Sequence, residues 1–114
     1  MVFGSRNFRF GDYSYLALIN YVKSKAPNAK IITTGSFWAS STKDTAIQTA
    51  ATASGLPFVK LSQLDIPMNR SSMGAQVFGD DGQWHTVNNS GVAAHPGDIG
   101  MSAIANEIYN SLGL

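Results

Sequence analysis

The residue of this sequence best suited to acid–base chemistry is His95, in the stretch Gly91-Val92-Ala93-Ala94-His95-Pro96-Gly97-Asp98. This stretch is rich in turn-forming residues and directly precedes the last predicted helix. Imidazole can take up and return a proton near neutral pH, and a loop that leads into a helix can present it at an edge of the fold. His95 is therefore a candidate general base of a hydrolytic enzyme, and a surface or structurally hydrogen-bonded histidine is the alternative.

No metal and no cofactor are predicted. The candidate metal ligands are His85 and His95, with Asp80, Asp81 or Asp98. The loop between the two histidines imposes no ligand geometry, so this combination does not indicate a metal site. The sequence has no cysteine, so it offers neither a thiolate nucleophile nor a disulfide. It also lacks a Gly-x-Gly-x-x-Gly or Walker-type loop, so no nucleotide is indicated.

Four aromatic residues fall in segments predicted as loops: Phe37, Trp38, Phe78 and Trp84. Aromatic rings stack on the faces of sugars, so Trp38 and Trp84 are predicted as substrate-binding residues. Aromatic side chains in such positions also cover hydrophobic cores, and that alternative stays open.

Composition predicts one globular domain of 114 residues, with 44% hydrophobic and 13% charged residues. So small a share of charged residues indicates that part of the surface of this chain is covered in the complete molecule. The formal net charge is +1 and the basic residues are scattered, so no nucleic-acid partner is expected. No apolar run approaches the roughly 20 residues that span a bilayer, so no membrane span is expected either.

Apolar spacing predicts three helices: Asp12 to Ala26, about Thr42 to Ser54, and Asp98 to about Leu112. The candidate N-caps are Asp12, Ser41 or Thr42, and Asp98, and glycines follow the last two helices at positions 55 and 113. The residues expected to face the core are Tyr15, Leu18, Ile19, Val22 and Ala26, then Ile47, Ala50 and Ala51, then Met101, Ile104, Ala105, Ile108 and Leu112.

Short apolar runs predict strands at Met1 to Phe3, Lys30 to Thr34 and Pro57 to Leu61. Strands that alternate with helices favour βαβ crossovers and a parallel sheet covered on both faces. Ligands gather at the carboxyl ends of such strands, and His95 can reach that edge from a long loop predicted over Ser62 to Ala94. Three parallel strands leave at least one sheet edge in need of a partner.

The stretch Gly91 to Met101 resembles the histidine block of SGNH/GDSL-type esterases, in which His-Pro precedes the final helix. The segments Leu18 to Trp38 and Ala46 to Leu64 are similar to helix, turn and strand segments of the same family. The resemblance implies a three-layer α/β/α fold of the flavodoxin-like type. It also implies ester hydrolysis by a Ser-His mechanism on carbohydrate or carboxyl esters, with His95 as the base and no cofactor.

The Gly-Asp-Ser block that carries the nucleophile in this family is not found in the sequence. The resemblance therefore implies that the chain is the C-terminal half of the hydrolase domain. A second chain would complete the sheet and supply the serine, and the isolated chain would be inactive. Ser14 and Ser36 are the alternatives within the chain; both lack the family's spacing around the nucleophile.

Two further positions follow from the resemblance. Val92 stands where many family members have an aspartate, so a backbone carbonyl or a water would have to orient His95. Asn7 resembles the asparagine of the oxyanion hole, and a structural turn is its alternative role. The rival to the enzyme is a noncatalytic α/β binding or assembly module in which the loop over Ser62 to Ala94 binds a glycan or a partner.

Overall fold

The computed structural model describes residues 10–113. The helices are α1 (Phe10–Lys25), α2 (Ser41–Ala53), α3 (Ser90–Ala93) and α4 (Asp98–Ser111); the strands are β1 (Thr33–Thr34), β2 (Phe58–Val59), β3 (Gln76–Phe78) and β4 (Trp84–Thr86). Two 3₁₀ turns, Ser62–Leu64 and Pro67–Asn69, follow β2. The fold is a mixture of helices and two small sheets. The predicted strand at Met1 to Phe3 and the candidate oxyanion residue Asn7 lie outside the described residues.

All three predicted helices are confirmed, but the N-cap predictions are wrong. Helix α1 begins at Phe10, which places Asp12 inside its first turn. Ser40 precedes α2 in extended backbone and makes no capping hydrogen bond with its side chain. Gly97 precedes α4, so Asp98 is the first helical residue rather than the cap. An acidic side chain in the first turn still favours a helix because it faces the positive end of the helix dipole.

The predicted end of α2 is confirmed in detail. Gly55 has φ of +69°, the left-handed conformation that glycine adopts without steric cost. The Gly55 N–H donates to the Thr52 carbonyl at 3.2 Å, and the Leu56 N–H donates to the Ala51 carbonyl at 2.9 Å. These two bonds form a Schellman motif, which stops the helix and returns Leu56 to the core.

Strands β1 and β2 pair in parallel, with Thr33 opposite Phe58, and α2 connects them as a crossover helix. The predicted parallel pairing is therefore confirmed, although each strand is only two residues long. Directly after β1, Gly35 has no room for a side chain, since a Cβ there would lie 2.9 Å from the Phe58 ring. The next residue donates its backbone N–H to the Asp44 carboxylate at 2.9 Å, which ties the end of β1 to α2.

The core lies between α1 and α2 and centres on Leu16, Ile19 and Ala50. Ala50 and Ala51 are fully buried as predicted, because these small side chains let the two helices approach closely. The predictions for Leu18, which is 57% exposed, and Met101, which is 56% exposed, are wrong. Ala105 is exposed as well. In α1 the buried stripe starts at Leu16 because that face meets α2.

The long loop predicted over residues 62–94 is also wrong, because the segment contains the two 3₁₀ turns, a β3–β4 hairpin and α3. Strands β3 and β4 pair antiparallel, with Phe78 opposite Trp84. The turn between them closes with a 2.8 Å bond from the Gly79 N–H to the Gln83 carbonyl, and Gly82 takes a φ of +77°. Every hairpin strand residue is exposed, so the alternation that would predict strands is missing.

Residues 69–72, which we term the support segment, pair antiparallel with residues 93–97, the His95 turn. The Ser71 N–H donates to the His95 carbonyl at 2.8 Å, and the Ser72 N–H donates to the Ala93 carbonyl at 3.1 Å. At the other end, the Gly97 N–H donates to the Asn69 carbonyl at 2.9 Å. The backbone around His95 is thereby fixed on the structure that follows β2.

Gly100 explains how α4 can approach the support segment so closely. It is buried, and a Cβ at this position would collide with the Asn69 carbonyl oxygen. Gly97 is similarly close, since a Cβ there would lie 3.2 Å from the Ser71 Cα. Glycines at these two positions are therefore a packing requirement of the His95 turn.

We predict that Gly100→Ala lowers stability by about 1–3 kcal/mol, the usual cost of overpacking. In an ordinary helix interior the same change stabilises by about 1 kcal/mol through helix propensity. The sign of the stability change therefore tells whether Gly100 is in close contact with Asn69. Thermal unfolding followed by circular dichroism measures the effect. Ser102→Ala, at an exposed position of the same helix, is the matched control. A Gly100→Ala melting temperature at or above the parent value would contradict the close contact with Asn69.

Candidate active site

The imidazole of His95 is exposed and is oriented by a backbone carbonyl. Its Nδ1 lies 2.6 Å from the Gly91 carbonyl oxygen. Because a carbonyl oxygen only accepts hydrogen bonds, Nδ1 carries the hydrogen in the neutral ring and Nε2 keeps its lone pair. This arrangement leaves Nε2 as the atom that can accept a proton. The resemblance implies an orienting aspartate at the position of Val92. Here the Gly91 carbonyl orients the imidazole instead.

Helix α3 positions the Gly91 carbonyl. The Asn89 side chain is its N-cap and accepts hydrogen bonds from the backbone N–H groups of Gly91 at 2.8 Å and Val92 at 3.2 Å. Asparagine is among the best N-cap residues because its side-chain oxygen satisfies the free N–H groups of the first turn. A single turn of helix thus forms directly before His95, and its Gly91 carbonyl reaches the imidazole.

Trp38 contacts His95. The two rings meet edge to face, with centroids 4.6 Å apart and planes at 76°. The indole Nε1–H donates to the Ala94 carbonyl at 3.0 Å. Trp38 follows the carboxyl end of β1 by four residues, so this contact brings His95 to that edge of the sheet.

Trp84 lies in a different environment. Its ring packs edge to face on Phe78 across the hairpin, with centroids 5.2 Å apart, and the side chains are 66% and 62% exposed respectively. The ring partner of His95 is Trp38, and the two predicted substrate-binding tryptophans have no ring contact with each other within residues 10–113. A role for Trp84 in substrate binding stays a prediction.

His85, the other histidine, is part of the hairpin. Its Nε2 lies 2.9 and 3.1 Å from the two carboxylate oxygens of Asp81, four residues earlier. Asp98 lies at the start of α4. Among residues 10–113, no three histidine, cysteine, aspartate or glutamate side chains converge as metal ligands.

Neither serine alternative is paired with His95. Ser36 follows β1, and its backbone N–H is bound by Asp44. Ser14 lies within α1, on the helix that packs against α2. Within the described part of the chain, the hydrogen bond of the His95 imidazole is to the Gly91 carbonyl and not to a serine.

An open depression of about 510 Å³ lies beside the His95 turn, and no sequence pattern predicted it. We term it the Arg70 depression; its lining residues are Asp65, Pro67, Arg70, Ser72, Met73, Ser90, Ala93 and Ala94. Its lining comes from irregular backbone between Asp65 and Met73 and from the short helix α3, and neither part has apolar periodicity. The short spacing of Asp65 and Arg70 around a proline was the one available signal.

Arg70 and Asp65 form a two-point ion pair in this depression. The guanidinium Nε donates to Asp65 Oδ1 at 2.7 Å, and Nη2 donates to Oδ2 at 3.0 Å. These hydrogen bonds from Arg70 hold the pKa of the Asp65 carboxyl below its ordinary value. The same bonds raise the pKa of Arg70, which stays charged at all physiological pH values.

Comparison with known proteins finds no matching family model, no matching curated protein and no matching solved structure. None of the helices within residues 10–113 is both long enough and apolar enough to cross a membrane. Function is therefore inferred from the geometry around His95 and from the sequence resemblance of its block.

We predict that the ion pair of Asp65 and Arg70 makes stability depend on pH. Because the pKa of Asp65 is lower in the folded state, its contribution is present above the ordinary carboxyl pKa of about 4 and is lost as the pH falls through the lowered value. Thermal unfolding of the parent and of Asp65→Asn from neutral to acidic pH measures this. The melting temperatures should differ most near neutrality and converge in acid.

Asp80→Asn, in the exposed hairpin turn, controls for the loss of one carboxylate elsewhere. If the parent and Asp65→Asn differ by the same amount at every pH, the ion pair does not stabilise the fold.

Proposed function

We propose that this chain is the histidine-bearing part of an SGNH-type ester hydrolase that removes acyl groups from small-molecule or glycan esters. In this proposal a second chain completes a flavodoxin-like three-layer α/β/α fold and brings the nucleophilic serine to His95. Trp38 would contact the substrate beside the imidazole. An oxyanion role for Asn7 is part of the proposal and lies outside the described residues.

The observation that carries the proposal is the orientation of His95. Its Nδ1–H is held by the Gly91 carbonyl at 2.6 Å, so the basic Nε2 is available for a hydroxyl. A general base needs this tautomer, because the nitrogen that accepts the proton must carry the lone pair. The Trp38 ring against the imidazole limits its rotation further.

The chemistry follows from this geometry. Nε2 takes the hydroxyl proton as the serine oxygen attacks the acyl carbon, which gives a tetrahedral oxyanion and an imidazolium. The imidazolium then returns the proton to the leaving alcohol as the ester bond breaks. Water, deprotonated by the same nitrogen, cleaves the acyl-serine and releases the carboxylic acid. The Gly91 carbonyl holds Nδ1–H throughout, so the ring keeps its orientation while its charge changes.

The exposed apolar surface supports the proposal that a second chain covers this one. The described residues expose fourteen large hydrophobic side chains, and none of the large side chains is fully buried. Within residues 10–113 the parallel β1–β2 sheet has two strands, and a further strand could pair at its edges. A covering chain would bury this surface and extend the sheet, which is the arrangement the proposal requires.

We predict that His95→Ala abolishes esterase activity of the complete enzyme, the assembly that includes the serine. Loss of the base leaves the hydroxyl unactivated, and kcat/KM should fall on the order of 10⁴-fold or more. The measurement is turnover of an acetyl ester. His85→Ala is the matched control, because this histidine is held by Asp81 on the hairpin and should leave turnover unchanged.

Two results would contradict the proposal that the assembly is an esterase. One is near-parental turnover in His95→Ala. The other is the absence of ester turnover in the complete assembly, which would favour the noncatalytic binding or assembly module.

We also predict that the isolated chain has no esterase activity and associates with itself. The short two-stranded sheet and the exposed apolar side chains of residues 10–113 offer surface on which further chains can associate. Size-exclusion chromatography with light scattering gives the mass, and an acetyl-ester assay on the same fractions gives the activity. A stable, active monomer of 12.2 kDa would contradict both parts and would make Ser36 the first residue to substitute.

A further inference from the structure

Arg70 is a fixed hydrogen-bond donor at the surface of the Arg70 depression. Asp65 holds its Nε and Nη2, so the plane of the guanidinium is set. An arginine has five N–H donors, and the pair with Asp65 leaves about three of them for a ligand. The Arg70 side chain is 40% exposed, so these donors are accessible. A donor group held in this way loses little freedom when a ligand binds.

The charge of Arg70 is already compensated. Asp65 is 17% exposed and bonds the guanidinium at two points, and no other charged side chain is among the lining residues. An anionic ligand would therefore approach a pair with no net charge and gain little Coulomb energy from it. Neutral oxygen atoms, such as hydroxyl or ring oxygens, suit these donors better.

The remaining lining residues complete a surface of mixed character. Ser72 and Ser90 add hydroxyl groups, and Pro67 and Met73 add apolar contact. A sugar has the same two aspects: hydroxyl groups at its edge and C–H groups on its faces. The volume of about 510 Å³ falls in the range of small-molecule sites, roughly 300–1,000 Å³.

Ser72 has an unusual backbone conformation in this depression. Its φ is +72°, and within residues 10–113 it is the one non-glycine residue with positive φ. A residue with a Cβ rarely adopts this conformation, which costs on the order of 1 kcal/mol. Glycine would fit at this position without strain, so Ser72→Gly can remove the side chain while the backbone keeps its conformation.

We infer that the Arg70 depression binds the sugar part of a neutral carbohydrate ester, with Arg70 as the main hydrogen-bond donor. The inference rests on the proposed function and deepens it, because it names the site that holds the sugar and restricts the sugar to neutral ones. Ala93 and Ala94 line the depression and directly precede His95, so the depression adjoins the backbone turn that carries the proposed base. Arg70 is thus a specificity residue rather than a participant in proton transfer.

The test is an NMR titration of the ¹⁵N-labelled chain with three neutral disaccharides: cellobiose, xylobiose and mannobiose. Digalacturonate is the anionic comparison. At least one neutral disaccharide should shift the amide signals of Ser72, Met73, Ser90 and Ala94. Arg70→Met should weaken this binding about tenfold, the cost of losing hydrogen bonds to a charged group. Lys43→Met, at an exposed position on α2, is the control and should bind as the parent does.

Two more variants sharpen the result. Asp65→Asn removes the compensating charge, so the same depression should gain affinity for digalacturonate. Ser72→Gly keeps the fold because glycine adopts positive φ freely, and loss of the hydroxyl should weaken neutral-sugar binding about three- to tenfold. Ser72→Gly decides the question if Arg70→Met fails to fold, which thermal unfolding reveals.

The inference is overturned if no neutral disaccharide shifts these amides, if digalacturonate binds the parent more tightly, or if both Arg70→Met and Ser72→Gly bind sugar as the parent does. His95→Ala separates this result from the proposed reaction, because that variant should lose turnover and keep sugar binding. Sugar binding without any ester turnover in the complete assembly would support the inference and contradict the proposed esterase function.

Discussion

The antiparallel pairing of the support segment, residues 69–72, with the His95 turn, residues 93–97, is the interaction on which the candidate site depends. Asn69 anchors it: this side chain is 5% exposed, and its Nδ2 donates to the Leu64 carbonyl at 2.8 Å. Because a buried amide must find partners, Asn69 fixes the 3₁₀ turns to the support segment. The segment in turn fixes the backbone of His95 and of Ala94, whose carbonyl receives the Trp38 indole.

Long periodic segments were the predictable part of the fold. The helices and the parallel β1–β2 pair follow from apolar spacing, and Gly55 follows from the conformation that a helix end requires. The exact buried stripe was not predictable. Leu16 rather than Leu18 faces α2, and Gly100 rather than Met101 faces the support segment. In a helix with apolar residues on several faces, the neighbouring element decides which face is buried.

For the candidate site, the turn-rich stretch before the last helix was sufficient to single out His95 but not to orient it. The Gly91 carbonyl reaches the imidazole only because Asn89 caps a single helical turn, and four residues are too few to give a periodic signal. The ion pair of Asp65 and Arg70 depends in the same way on a non-periodic 3₁₀ turn. Local hydrogen bonds of this kind are set by tertiary packing, which the pattern of apolar residues does not encode.

The Gly91 carbonyl differs from the carboxylate of a catalytic triad in one physical respect. Both accept the Nδ1–H bond and so select the same tautomer, but a carbonyl carries no full charge to stabilise the imidazolium. Replacing the triad aspartate by asparagine in serine proteases costs about 10⁴-fold in kcat because the tautomer becomes wrong. An amide side chain can donate to the imidazole, whereas the Gly91 carbonyl cannot. In the proposed reaction His95 therefore keeps the correct tautomer and lacks only the Coulomb part of the triad's contribution.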